Sequence, residues 1–240
     1  MQRDNGRKFD ELRRIDVKRN YIKHALGSCL IGLGNTSVIC TASIEKNVPL
    51  FLRNSGEGWL TAEYRMIPCA AQGRIPRDKI SGRTIEIQRL IGRSLRSVVD
   101  LKKIGEKTIR IDCDVIQANG GTRTTSIVGG FIALVDCLHR LYKRNDLKEV
   151  YITDYLGATS VGILGNEHML DLTYEEDSQA DVDMNIVMNG SGKFIEVQGA
   201  AEKGSFSEKD LNSLLDLAKK GINNVIEFEK NIFQDILFHL

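Results

Sequence analysis

An α+β fold, with mixed sheets and helices packed on them, is what this sequence predicts, and three observations predict it. First, several short segments alternate apolar and polar residues with a period of two, as in "KTIRIDCDVIQA" (107–118), where Ile109, Ile111, Cys113 and Val115 share one face. Second, other segments switch to helical spacing: Ile87, Leu90, Ile91, Leu95, Val98 and Val99 recur every three or four residues. Third, only three prolines (Pro49, Pro68, Pro76) and no low-complexity linker interrupt the 240 residues, and no solenoid-period repeat is present. Residues 1–240 therefore read as a single domain, long enough to bury a useful core.

Taken in order, "HALGSCLIGLGNTSVICTASIEK" (24–46) holds two β-rich runs around a Gly-Asn turn and predicts a hairpin. "GWLTAEYRMIP" (58–68) is a further strand, followed by a polar loop with glycine and arginine, "CAAQGRIPRDKISG" (69–82). The helical spacing above predicts a helix over roughly 84–101, and the alternation predicts a half-buried strand over 107–118. A long apolar helix then runs to about Arg144. Strands resume at "EVYITDYLG" (149–157) and "TSVGILGNEHMLDLTY" (159–174), and "MNIVMNGSGKFIEVQG" (184–199) is a hairpin turning on Asn-Gly-Ser-Gly. A last helix starts near Ser207, which with Asp210 resembles a capping box in which Asp replaces the usual Glu or Gln.

Composition narrows the function classes. Lysine plus arginine total 33 against 32 acidic residues, so net charge alone marks no polyanion partner. The distribution says more: arginines concentrate between Arg65 and Arg110, while acids gather in "YEEDSQADVD" (174–183), and a neutral protein can carry a basic and an acidic lobe at one cleft. Five cysteines, odd in number and never in CxxC, read as reduced thiols, with Cys29, Cys40 and Cys113 in strand-like apolar runs. The charged N-terminus reads as no signal peptide, and no apolar stretch approaches the roughly 20 residues that span a bilayer. The expectation is a cytoplasmic, soluble protein with no membrane partner.

The segment "NGGTRTTS" (119–126) joins the predicted strand to the long helix. A Gly-Gly turn feeding a helix exposes backbone N–H groups without intrahelical partners, and these together with the helix dipole attract anions. Thr122 adds a hydroxyl and Arg123 a planar fork suited to phosphate oxygens. Taken alone the segment also fits an ordinary helix cap that binds nothing. It is not a Walker A loop, "NGSGK" (189–193) lacks the upstream glycine of one, and "GLGNTS" (32–37) does not complete GxGxxG. Asp177 and Asp183, six apart across an expected turn, can aim carboxylates at one hard cation, the donor set magnesium takes alongside phosphate oxygens. The cluster does not fit the EF-hand template. Cradle, carboxylate pair and arginine-rich loop in one domain point towards phosphoryl chemistry.

Longer motifs carry the reading further. "GWLTAEYRMIP", "GRTIEIQRLIGRSLRSVVDL", "IDCDVIQANGGTRTTS" and "YEEDSQADVDMNIVM…IEVQG", with "RDNGRKFDELR" near the N-terminus, resemble the RNase PH family in its own order over nearly the whole chain. The resemblance implies an RNase PH domain of the ribosomal protein S5 domain 2-like type, assembled as a hexameric ring of three dimers. It implies a phosphate-dependent tRNA nucleotidyltransferase: a phosphorolytic 3′–5′ exoribonuclease that trims tRNA precursors, with rRNA as a further substrate, and releases nucleoside diphosphates. Arg83 of "GRTIEI" with Gly121, Thr122 and Arg123 of "GGTR" would hold the attacking phosphate. Asp177 and Asp183 would be the catalytic pair, binding Mg2+ or assisting proton transfer to the leaving oxygen. Arg74 and Arg77 align with the family's RNA-contacting loop arginines. Arg89, Arg93 and Arg96 recur at helical spacing, which by itself describes a solvated face; the resemblance makes Arg89 and Arg93 RNA or subunit contacts.

The sequence departs from the family pattern at loop 69–82, which is a few residues shorter and has Cys69 where an arginine is usual. Asn119 replaces a usual aspartate, and Asn5 is a similar change. His24, His139, His168 and His239 form no catalytic or metal pattern, and Trp59 and Tyr64 read as core packing in a strand. Two rival functions fit less well. A catalytically silent RNA-binding ring subunit would be expected to lose the cradle arginine or the acidic pair, and a small-molecule kinase on a related fold would need a nucleotide loop.

Overall fold

The computed structural model describes Arg3, residues 6–77 and residues 81–236. Asn5 and His239, and residues 78–80 of the long loop, lie outside the described residues. Strands β1 (Ile15–Arg19), β2 (Gly27–Leu33), β3 (Thr36–Glu45), β4 (Trp59–Met66) and β5 (Thr108–Gln117) form one sheet in the order β1-β2-β3-β5-β4. All its pairs are antiparallel except β4 with β5. The expected hairpin is β2–β3, and Ile109, Ile111, Cys113 and Val115 of β5 are all buried on the face the alternation assigns to them. Strands β6 (Leu156–Leu164), β7 (Glu167–Leu170), β8 (Val182–Asn189) and β9 (Phe194–Ala201) form a second, antiparallel sheet in the order β7-β6-β8-β9.

Helices α1 (Gly82–Arg96) and α3 (Thr122–Lys143) cover the first sheet, and α3 also packs on β6 of the second. Helix α5 (Glu208–Ile232) covers β6, β7 and β8, and it starts at the expected Ser207–Asp210 capping box. Two shorter helices are α2 (Leu101–Ile104) and α4 (Tyr174–Gln179). One apolar cluster, with Ile31, Leu95, Ile111, Phe131 and Leu134 at its centre, extends through Leu156, Ala158 and Val187 into the second sheet. A second cluster lies between that sheet and α5, around Val161, Ile186, Leu214 and Ile222. The α+β architecture of mixed sheets and packed helices is as the periodicities predict.

Four local expectations need correction. The helix expected over 84–101 stops at Arg96: Ser97 Oγ donates to the Ser94 carbonyl at 2.6 Å, and Val98 is buried in a turn and Val99 in a bridge to Ile152 instead. Burial, not helicity, made those valines fit the pattern. The strand expected over 149–157 is irregular until Leu156, because Ile152 pairs only through an isolated bridge with Val99. Asp177 stands on helix α4 rather than in a turn, since Thr173 and Glu176 complete a capping box that winds this segment. Lastly, α3, with 22 residues, does have the length and apolarity of a membrane span, its most apolar 18 residues having a mean hydropathy of 1.2, but 89% of that stretch is buried inside the protein. Its apolar surface serves both sheets.

All five cysteines are free. Cys29, Cys40 and Cys113 stand in register on β2, β3 and β5, and all three are buried. Burial and the neighbouring thiols push the Cys40 pKa well above its ordinary value. Burial likewise raises that of Cys137 to about 12. Cys69 alone is exposed.

Candidate active site

A cleft of about 1320 Å³ opens where the starts of α1, α3 and α4 converge above the ends of β5 and β8. Neither α1 nor α3 has an acidic residue in its first turn, so the positive ends of both dipoles are left for an anion. Helix α4 has Glu175, Glu176 and Asp177 there. The cleft thus has a cationic wall and an anionic wall, as the charge distribution implies.

The cationic wall is built around two consecutive left-handed glycines, Gly120 (φ 77°) and Gly121 (φ 67°). This backbone favours glycine, and at Gly120 a Cβ would also lie 2.4 Å from the Leu172 carbonyl oxygen. Gly121 is the N-cap of α3, and no side chain caps that helix. Thr124 and Thr125 instead donate their hydroxyls to the Gly121 carbonyl, at 2.9 and 2.8 Å. Thr36 holds the turn from behind, donating to the Gly120 carbonyl at 2.7 Å and accepting from the Asn119 N–H at 2.9 Å. Thr122 Oγ1 accepts from the buried hydroxyl of Tyr64 at 2.9 Å. Tyr64 is core packing, as expected, and it also lines the cleft.

Arg83 reaches the cleft from the first turn of α1 and has no ion pair or side-chain hydrogen bond among the described residues. Arg123 reaches it from α3, with its guanidinium donating to Gln198 Oε1 at 2.9 Å and lying 3.8 Å from Glu86. Asp177 of α4 and Asp183 of β8 both line the same cleft. Loss of solvation raises the Asp177 pKa first and the Asp183 charge raises it further, while Arg83 and Arg123 pull it down. Asp183, Arg83 and Arg123 therefore all act on Asp177 across one space. Among the described residues no group of three or more His, Cys, Asp or Glu has metal-ligand geometry. The two carboxylates fit a hard cation that keeps most of its shell as water and phosphate oxygens, and they do not fit a closed all-protein cage.

The other expected contacts lie outside the cleft lining. Arg74 and Arg77 are exposed on loop 69–82, although Ala71, Gln72 and Ile75 of the same loop do form part of the cleft wall. The base of the loop is tied to the end of β5 by an Ala118 N–H to Ala70 carbonyl bond of 2.7 Å. On α1, Arg89 is exposed, Arg93 pairs with Glu196 at 2.8 Å, and Arg96 donates to the Leu60 carbonyl and stacks over Trp59. His168 contacts Asp210 at 3.2 Å, and Nδ1 of His139 is buried without a partner among the described residues.

Several contributors were missed by sequence reasoning. Glu86 and Gln198 are hydrogen-bonded to each other at 2.6 Å and hold the Arg123 fork between them. Arg3 and Arg13 are buried, although the N-terminal segment is charged throughout. Arg3 makes a two-pronged contact with Glu176, and Arg13 another with Asp171. These pairs are separated by 112 to 173 positions, so no local spacing reveals them. The family-like run at the N-terminus marks the segment but not its partners.

Fold and cleft together define a class: an α+β protein with an uncapped, arginine-flanked anion cradle facing a carboxylate pair. Comparison with known proteins makes the class specific. The profile of the 3′ exoribonuclease family, domain 1, matches residues 11–138, and that of domain 2 of the same family matches residues 154–221. Ribonuclease PH of Bacillus pumilus is 55% identical over 236 residues, covering 96% of this chain and 98% of the relative. Ribonuclease PH of Bacillus subtilis is 55% identical over 240 residues, covering 98% of each. The chain belongs to the 3′ exoribonuclease family typified by ribonuclease PH. Among solved structures, the Archaeoglobus fulgidus exosome with RNA bound to the active site superimposes with a TM-score of 0.82 at 23% identity, over 95% of this chain and 93% of that one. At that identity the likeness establishes the fold.

Proposed function

We propose that this chain is a phosphorolytic 3′–5′ exoribonuclease that trims 3′ extensions of tRNA precursors. An oxygen of inorganic phosphate attacks the phosphorus of the last 3′ phosphodiester, and the bond from that phosphorus to the preceding 3′ oxygen breaks. The 3′ oxygen takes up a proton, a nucleoside diphosphate leaves, and the RNA is one residue shorter. The observation that carries this reading is the meeting of Arg83, Arg123 and the uncapped start of α3 with Asp177 and Asp183 in one cleft. Nucleophile and scissile phosphate are both negative and repel; fixed cations and exposed N–H groups that hold the first against the second supply positioning and charge stabilisation, the main needs of phosphoryl transfer.

Asp177 and Asp183 would hold Mg2+, which when bound screens charge at the transferring phosphoryl group. Arg83, Gly121, Thr122 and Arg123 would hold the attacking phosphate. Exposed Arg74, Arg77 and Arg89 offer cations to an RNA backbone, and Arg93 does so if it leaves Glu196. Assembly as a hexameric ring, a trimer of dimers, is what the family resemblance implies, and the exposed Leu50 and Phe51, at 76% and 70% exposure, offer apolar surface to it. The buried free thiols suit the reducing cytoplasm.

The test is incubation with a 3′-tailed tRNA and Mg2+, with and without inorganic phosphate. Release of nucleoside diphosphates only when phosphate is present is the expected result. Monophosphate release, or binding without turnover, would overturn the assignment.

A further inference from the structure

The phosphate cradle and the carboxylate pair belong to different parts of the chain, and each is internally secured. The cradle is held in shape by Thr36, Thr124 and Thr125. Helix α4 is held by its own Thr173–Glu176 capping box. What remains is the relation between the two, and the seam there is close, since Gly120 abuts the backbone of Leu172, Thr173 and Tyr174.

Two side chains span that seam: Asn119 Oδ1 accepts the Tyr174 N–H at 3.4 Å, and Arg13 clamps it from behind. The buried guanidinium of Arg13 donates through Nε and Nη2 to the two carboxylate oxygens of Asp171, at 2.9 and 2.6 Å. Its Nη1 donates to the Asn119 carbonyl at 2.6 Å, and Nη2 also lies 3.4 Å from the Gly120 carbonyl and 3.3 Å from that of Leu172. Asp171 is 1% exposed, takes a left-handed φ of 56°, and also accepts the Arg13 backbone N–H at 2.7 Å. Arg7 and Arg3 reinforce it from the same arm: both donate to the Asp171 carbonyl, and Arg3 grips Glu176 inside α4.

We propose that Arg13, with Asp171, is a positioning residue that fixes the distance between the phosphate cradle and the Asp177–Asp183 pair. This rests on the function proposed above. Arg13 lies behind the cradle rather than among the cleft-lining side chains, so it acts through Asn119, Gly120 and α4. Removing its fork leaves each binding site intact and spoils their alignment. The loss then falls on turnover with both ligands saturating, and not on the affinity for either.

Two variants test this, Arg13→Lys and Asp171→Asn, against a control, Arg19→Lys. Arg19 forms a mostly buried pair with Asp136, its Nε and Nη2 both donating to one carboxylate oxygen, and does not line the cleft. Lysine at 13 keeps a cation for Asp171 but cannot reach the carbonyls at the same time. The expected result is a kcat loss on the order of 10- to 100-fold in both test variants, with phosphate KM and Mg2+ half-saturation within about threefold of wild type. Arg19→Lys loses comparable thermal stability and keeps its kcat. Equal kcat losses in test and control variants would make Arg13 merely structural, and a loss confined to phosphate KM would make it a phosphate ligand; either overturns the proposal. If Arg13→Lys does not fold, the isosteric Asp171→Asn decides by the same comparison. A wild type that releases no diphosphate overturns the proposed function itself, which this comparison keeps separate.

Discussion

Arg83→Ala and Arg123→Ala remove the two cationic forks of the cradle, and their surroundings predict different costs. A hydrogen bond to a charged group contributes about 1.5–3 kcal/mol net, and about 1.4 kcal/mol is tenfold in affinity. Arg83 is exposed, so water screens its contact and its removal belongs at the lower end, about tenfold in phosphate KM. The side chain of Arg123 is 17% exposed and already aimed by Gln198, so its removal belongs near the upper end, about 100-fold. Stability separates the two further. Arg123→Ala also breaks the bond to Gln198, which as a bond from a charged group contributes about 1.5–3 kcal/mol, or a Tm drop of roughly 3–12 °C at about 2–4 °C per kcal/mol for a chain of this size. Arg83→Ala breaks no bond among the described residues and should leave Tm unchanged. The assay is the initial rate of diphosphate release from a short oligonucleotide across a phosphate series, with a melting curve for each protein. Wild-type phosphate saturation in both variants would refute the cradle, and a larger effect from Arg83 than from Arg123 would refute the argument from burial.

Asp183→Asn should fold and bind RNA as wild type but lose most turnover, because an amide is a poor magnesium ligand and cannot exchange a proton; wild-type rates at limiting Mg2+ would place the site elsewhere. Asp177 gives a pH prediction with a definite sign. Desolvation and the Asp183 charge raise its folded pKa, so its favourable contribution is full below the ordinary carboxylate range and is lost as pH rises through the raised value. Asp177→Asn should therefore melt above wild type at neutral pH, with the advantage shrinking towards acid, while being inactive; a Tm difference that does not vary with pH would contradict this. Arg74→Ala combined with Arg77→Ala should raise the KM for tRNA and flatten its salt dependence, leaving phosphorolysis of a short oligonucleotide near normal. Equal losses on both substrates would mean that the loop, whose Ala71, Gln72 and Ile75 border the cleft, serves catalysis or assembly.

Period and turn chemistry were enough to read most elements from the sequence. The alternation in β5, the β2–β3 and β8–β9 hairpins, the long α3 and the Ser207 cap of α5 all depend on neighbours within a few positions. Where that reading failed, at Val98, Val99 and Ile152, apolar residues were buried by distant partners rather than by their own helix or strand. Thr122, Arg123 and the Asp177–Asp183 pair were legible for the same local reason, whereas Arg83 came from the family resemblance. Gly120 and Gly121 must be read with the helix they start, and Asp177 and Asp183 are six positions apart.

Tertiary structure alone decided how those pieces face one another. Nothing near Arg123 in the chain announces Glu86 or Gln198, and nothing near Arg13 announces Asp171, because each pairing closes a loop of dozens to more than a hundred residues. Two arginines of the charged N-terminal arm, Arg3 and Arg13, are buried, since an arginine pays its desolvation only when folding supplies a carboxylate and carbonyls in the right places. The sequence determined which chemical groups are available and which local shapes they take. Folding determined their distances, and phosphoryl transfer depends on those distances.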